Sequence, residues 1–105
     1  MTLTIPWGDN VTTLELDEFL PCKAAKWEVL VKIFKQSPNE VEIYNALIPY
    51  FYMRLGRYYV ERDTTQAEMK QGNLKKSKSK IAKAQAKINW FTRRLKELER
   101  LLQTA

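Results

Sequence analysis

The sequence predicts a mainly α fold with a small β-hairpin: an α+β chain with an N-terminal hairpin, two or three packed helices and a long basic C-terminal helix. Three observations predict it. Turn-forming residues separate two β-branched stretches near the start, apolar residues recur at helical spacing from about residue 21, and a heptad of apolar positions runs through the last third. A chain of 105 residues is one domain by size and can bury a real core. Within it we expect residues 1–72 to form the hairpin and helical core. Residues 73–105 form a long amphipathic helix packed on that core or swapped between copies.

The hairpin comes first. Leu3-Thr4-Ile5-Pro6-Trp7 and Val11-Thr12-Thr13-Leu14-Glu15-Leu16 have strand composition, and Gly8-Asp9-Asn10 between them is turn chemistry. Pro6 removes one ladder donor, which suits an edge or a strand end. Two strands alone are marginally stable, so the hairpin must lie on the helices or pair with another chain.

From about Pro21 to Gln36, Cys22, Ala25, Val29 and Ile33 form a stripe widened by Trp27, Leu30 and Phe34, with lysines in other directions. This is an amphipathic core helix. Ser37-Pro38-Asn39-Glu40 then reads as a capping box, with Ser37 as N-cap, and opens a second helix. Pro49 removes a backbone donor and disfavours helical geometry at Ile48, so a kink or break is expected there. The third helix, roughly Pro49 to Met69, carries Phe51, Leu55, Tyr58 and Tyr59 on one side and Tyr52, Met53 and Val60 on others. Apolar residues on more than one side imply deep burial or a partner. Gly72-Asn73 is a helix stop that reverses the chain.

The last helix, about Leu74 to Gln103, places Leu74, Ile81, Ile88, Leu95 and Leu102 every seventh residue, with Ser77, Ala84, Phe91 and Leu98 between them. Its second half is strongly apolar and should anchor, while the first half projects. The same seam, with Tyr52, Met53 and Val60, predicts a homo-oligomer whose interface includes Ile81, Ile88, Phe91 and Leu95.

Charge is placed rather than spread. Residues 1–68 hold seven Lys/Arg against ten Asp/Glu, a net −3, whereas residues 69–105 hold eleven against two, a net +9. Between Met69 and Lys96 there are ten basic residues and no acid. Lys76, Lys80, Lys83 and Lys87 share a helix face that Arg94 continues, and Lys75, Lys78, Arg93, Lys96 and Arg100 form a flank. Such a surface concentrates phosphate-bearing partners, and each neutralised phosphate releases counterions. The expected contacts are Lys75, Lys76, Lys78, Lys80, Lys83, Lys87, Trp90, Arg93 and Arg94. Trp90 would stack on a base or else widen the core stripe. The few Arg, Asn and Gln in the lysine-rich half favour phosphate positioning over base readout.

Other chemistry is poorly supported. There is no histidine, one cysteine, three glycines and no nucleophile–base pair at recognisable spacing, so we expect no enzyme, no cofactor and no metal. Cys22 reads as a small buried hydrophobe. No long uncharged apolar run and no signal-like start are present, which predicts a cytoplasmic protein and makes a membrane partner unfavourable. The expected function is a small accessory or regulatory protein that binds nucleic acid, DNA ahead of RNA, through its C-terminal helix. The alternative is an adaptor or inhibitor that docks on a protein partner through the seam and aromatic helix. Small basic chains without catalytic groups are common among phage and plasmid accessory proteins.

Overall fold

A computed structural model describes residues 1–72 and 74–105, the side chains of 74–76 excepted. It has a hairpin, β1 (Thr2–Trp7) and β2 (Asn10–Glu15), followed by α1 (Leu16–Phe19), α2 (Ala24–Gln36), α3 (Glu40–Met69) and α4 (Leu74–Thr104). The strands are antiparallel and in register from Thr2↔Glu15 to Trp7↔Asn10, leaving Gly8 and Asp9 as a two-residue loop. Gly8 has φ 58 and Asp9 has no positive φ, the pattern of a type II′ turn, in which glycine takes the first central position. Alternation places Leu3 and Ile5 inward, where β1 packs on α2.

The structure corrects the expected core face of α2. Trp27, Leu30, Val31 and Phe34 are buried, while Ala25 and Val29 are exposed and Cys22 and Ile33 half-buried. Two apolar rows compete on this helix, and the row with Trp and Phe removes more area from water when turned inward. The helix itself starts at Ala24, three residues later than expected.

Helix α3 also starts later, at Glu40 with Asn39 as N-cap. The buried Ser37 hydroxyl accepts the Asn39 N–H at 3.1 Å, so it caps a turn rather than the helix. Glu40 does not reach back to complete a box; its carboxylate accepts the Tyr44 hydroxyl at 2.7 Å. The expected break at Pro49 is absent, and α3 runs through it for 30 residues. Pro49 and Asn45, whose carbonyl loses its donor, both lie on the exposed side, where water replaces the missing bond. The helix stop at Gly72 is present: its φ is 110 and its N–H bonds the Met69 carbonyl at 3.2 Å.

Past that turn α4 returns antiparallel to α3. Tyr52 meets Glu99, Arg54 meets Phe91 and Arg62 meets Gln85, so the two helices form a long hairpin. The molecule measures 56 × 23 × 21 Å with a radius of gyration of 16.3 Å, against about 13 Å for a compact chain of this length. It therefore has a head and an arm. In the head, Trp27, Phe51, Trp90 and Phe91 interlock, with Trp27–Trp90 ring centroids 5.6 Å apart and Phe51–Phe91 5.0 Å apart. In the arm the buried residues are small, with Thr65 facing α4 and Ser77 and Ala84 facing α3.

One buried charge ties the head together. Arg54 donates to the carbonyls of Leu16 at 3.3 Å and Leu20 at 3.0 Å and to the hydroxyls of Tyr50 at 2.7 Å and Tyr58 at 3.0 Å. Its guanidinium also lies 4.7 Å from the Phe91 ring centroid. Tyr50 in turn donates to Asp17. Thus α1, too short to stand alone, has its carbonyl end bonded by a side chain of α3.

Candidate nucleic-acid interface

Lys78, Lys80, Lys83 and Lys87 of α4 lie along the arm, and Arg93 and Arg94 follow in the head. Alanine, lysine and glutamine are strong helix formers, so the segment stays helical although its buried side is small. Lys80 and Lys83 are exposed and Lys87 is half-buried, with its ammonium 5.2 Å from the Tyr58 ring centroid. These three fall on one side of the arm. Lys78 and Arg93 are exposed on the flank. Lys75 and Lys76 lie outside the described side chains.

The lysines are not spent on internal ion pairs. Among the described residues no salt bridge within 4.0 Å engages a lysine; the cations used are the chain's amino group, Arg54, Arg62 and Arg94. Arg62 instead bridges α3 to α4 through Gln85 at 3.2 Å, and Gln85 donates to Asn89 at 2.9 Å. Residues 61–87 hold eight Lys/Arg against three Asp/Glu, so the arm carries +5 of the chain's +6.

Two expected contacts belong to the head. Trp90 is 8% exposed, packs on Trp27, and donates its indole N–H to the Cys22 carbonyl at 2.9 Å, so it is a core residue and not a base-stacking platform. Arg94 is half-buried, lies over Trp27 and Trp90, and bonds Glu97 at 3.2 Å. Glu97 also accepts the Trp27 indole N–H at 2.9 Å. Arg94 is therefore held as a structural cation, because the tryptophan faces and the carboxylate compete for it with any ligand. Beside it, burial pushes the Cys22 thiol up, although Arg94 and Lys26 pull it down.

The seam residues are likewise internal. Ile88, Phe91 and Leu95 are buried and Ile81 is half-buried against α3 of the same chain, which corrects their expected place in an oligomer interface. Tyr52, Met53 and Val60, expected beside them, are exposed. Burial of the seam needs only α3 as partner, since the Gly72 turn lets α3 reach it.

Among the described residues no helix is long and apolar enough to cross a membrane, and no group of three or more His, Cys, Asp or Glu side chains stands ready for a metal. The chain matches no protein-family model, no curated protein and no solved structure. The reading of its function rests on the arm alone.

Proposed function

We propose that this protein is a small nucleic-acid-binding accessory protein that holds phosphates on the basic side of its α3–α4 arm, with DNA ahead of RNA as the target. The observation that supports this reading most is the row Lys80, Lys83 and Lys87: three cations on one side of a projecting arm that enter no salt bridge among the described residues. A projecting rod can follow a backbone without the head colliding, and lysines position phosphate without reading sequence. The rival reading, an adaptor or inhibitor that docks through the seam and the aromatic helix, loses the seam, because Ile88, Phe91 and Leu95 are covered, and keeps the exposed Tyr52, Met53, Tyr59 and Val60 of α3.

A salt titration tests the proposal. If four lysines each displace counterions from duplex DNA, the logarithm of affinity falls with that of salt at a slope of about −3.6, roughly a hundredfold between 50 and 200 mM. Changing Lys78, Lys80, Lys83 and Lys87 to Glu should abolish binding and leave the helical content intact. Affinity for duplex and single-stranded DNA and RNA that is flat with salt, or unchanged by the four substitutions, overturns it.

A further inference from the structure

The outward face of α3 has the composition of an interface. Five of the eight large hydrophobic side chains exposed among the described residues lie on this one helix. At about 100° per residue, Val60 and Met53 fall roughly 140–160° from the mean direction of Leu47, Phe51 and Tyr58, and Tyr52 and Tyr59 flank them about 100–120° away on the α4 side, where Tyr52 bonds Glu99. Those four are 41–65% exposed. Gly56 stands at their centre. A Cβ placed on Gly56 meets nothing within 4 Å, so no neighbour inside the chain requires a glycine. Mid-helix glycine costs about 1 kcal/mol relative to alanine. A glycine leaves room there for a second helix to come near.

We infer that the outward face of α3 is the two-fold interface of a homodimer, in which the helices of two copies pack antiparallel and cross at Gly56. The face is self-complementary in this arrangement. Tyr52 meets the partner's Val60 and Met53 meets the partner's Tyr59, pairing each ring with a flexible or branched aliphatic side chain. Exposed Glu42 and Lys70 lie equally far from Gly56 in opposite directions, about 21 Å along the helix. Antiparallel pairing at a crossing near 20° therefore sets Glu42 opposite the partner's Lys70, whereas parallel pairing would oppose like charges. A second copy supplies both halves of this match, which is why we assign the face to it.

Magnitude sets the strength. A helix about 45 Å long with a stripe roughly 12 Å wide buries on the order of 500 Å² per copy, about 1,000 Å² in total, which is the range of weak, transient interfaces. The dimer is thus reversible, forming at micromolar concentration. Two copies of net +6 repel, so moderate salt should strengthen it. That dependence is opposite in sign to the one expected for phosphate binding. Because the row Lys80, Lys83 and Lys87 is no part of this face, dimerisation and nucleic-acid binding succeed or fail separately.

The test uses the full chain in analytical ultracentrifugation across the micromolar range. We expect a monomer–dimer equilibrium that Val60→Lys weakens about tenfold or more without lowering the melting temperature. Glu42→Lys and Lys70→Glu should each weaken it, and the double swap should restore it. With interaxial spacing of about 8–10 Å, the two Cα atoms at position 56 come about 4–5 Å apart, within disulfide reach. In a Cys22→Ser background, Gly56→Cys should therefore cross-link under mild oxidant, and Val29→Cys, equally exposed on α2, should not. A monomer at high micromolar concentration, with or without another protein bound to this face, overturns the inference. So does a dimer indifferent to Val60→Lys, or cross-linking at 29 and not at 56.

Discussion

The guanidinium of Arg54 lies 3.0 Å from the carbonyl oxygen of Leu20, joining the middle of α3 to the end of α1 across 34 residues of sequence. With Leu16, Tyr50 and Tyr58 it forms a buried cluster in which every partner accepts from one cation. Removing the cation leaves the Leu20 carbonyl and the Tyr58 hydroxyl without this donor and takes one of two donors from the Leu16 carbonyl, which also accepts the Leu20 N–H at 3.1 Å.

Arg54→Ala should therefore cost about 3–5 kcal/mol, a large share of the roughly 5–15 kcal/mol expected for a small domain. Arg54→Lys should recover little, because a single ammonium cannot reach carbonyls and hydroxyls on two sides at once. Urea denaturation of the three proteins checks this; near-equal midpoints would show that the cluster contributes nothing.

Asp17 makes the same region sensitive to acid. The Tyr50 hydroxyl that it accepts, with lesser help from the chain's amino group and Arg54, holds its carboxyl below the ordinary value of 3.8. A depressed acid stabilises the fold above its unfolded pKa, and that contribution disappears as pH falls through the folded one. The melting temperature should fall as pH drops below about 4. Asp17→Asn should start lower at neutral pH and fall less over that window; parallel curves would remove Asp17 from the account.

The anchoring half of α4 and its basic half should separate cleanly. Leu95 and Leu98 are buried, and Leu→Ala at such sites costs about 2–5 kcal/mol each. Leu95→Ala/Leu98→Ala should melt far lower or fail to fold. Lys80→Ala/Lys83→Ala should melt normally and bind DNA poorly. Calorimetry with a filter-binding assay distinguishes them, and a thermally silent leucine pair would contradict the packing described.

Pro49 offers a gain. It lies inside the continuous α3 on the exposed side, and alanine there restores the donor toward the Asn45 carbonyl. Pro49→Ala should stabilise by about 1–3 kcal/mol, raising the melting temperature by several degrees. A decrease would mean that the ring packs against something this face covers.

Much of this fold is legible in the sequence, and where it is not, the reasons are physical. The hairpin, the Gly72 stop and the seam of α4 follow from periodicity and turn chemistry, which act locally. The face of α2 does not, because two adjacent apolar rows satisfy one period and total buried area decides between them. Pro49 misleads because its cost depends on whether water reaches the freed carbonyl. Arg54 was readable in outline: Tyr50, Arg54 and Tyr58 fall at four-residue spacing beside Phe51 and Leu55, so the arginine shares a face with core aromatics. What no local pattern reveals is that the carbonyls it bonds come from α1. Lys78, Lys80 and Lys83 have the expected exposure, with no acid standing among them in sequence, while Lys87 is half-buried against Tyr58. Trp90 takes the second of its two expected roles, widening the core, because residues of and before α2 cover that side of α4, a tertiary fact.

The small residues inside the arm have a mechanical consequence. Thr65, Ser77 and Ala84 give little dispersion attraction between the two rods, while Lys80, Lys83 and Lys87 repel one another at spacings that cost about 0.2–0.5 kcal/mol per pair. The stretch from Ser77 to Lys87 is thus held to α3 less firmly than the head is held together, and its amides should exchange with solvent before those around Phe51 and Phe91. A polyanion laid along it relieves the repulsion and, by linkage, stabilises the paired helices to which it binds. Hydrogen exchange of this stretch would then report occupancy directly, with slowed deuteration confined to the arm.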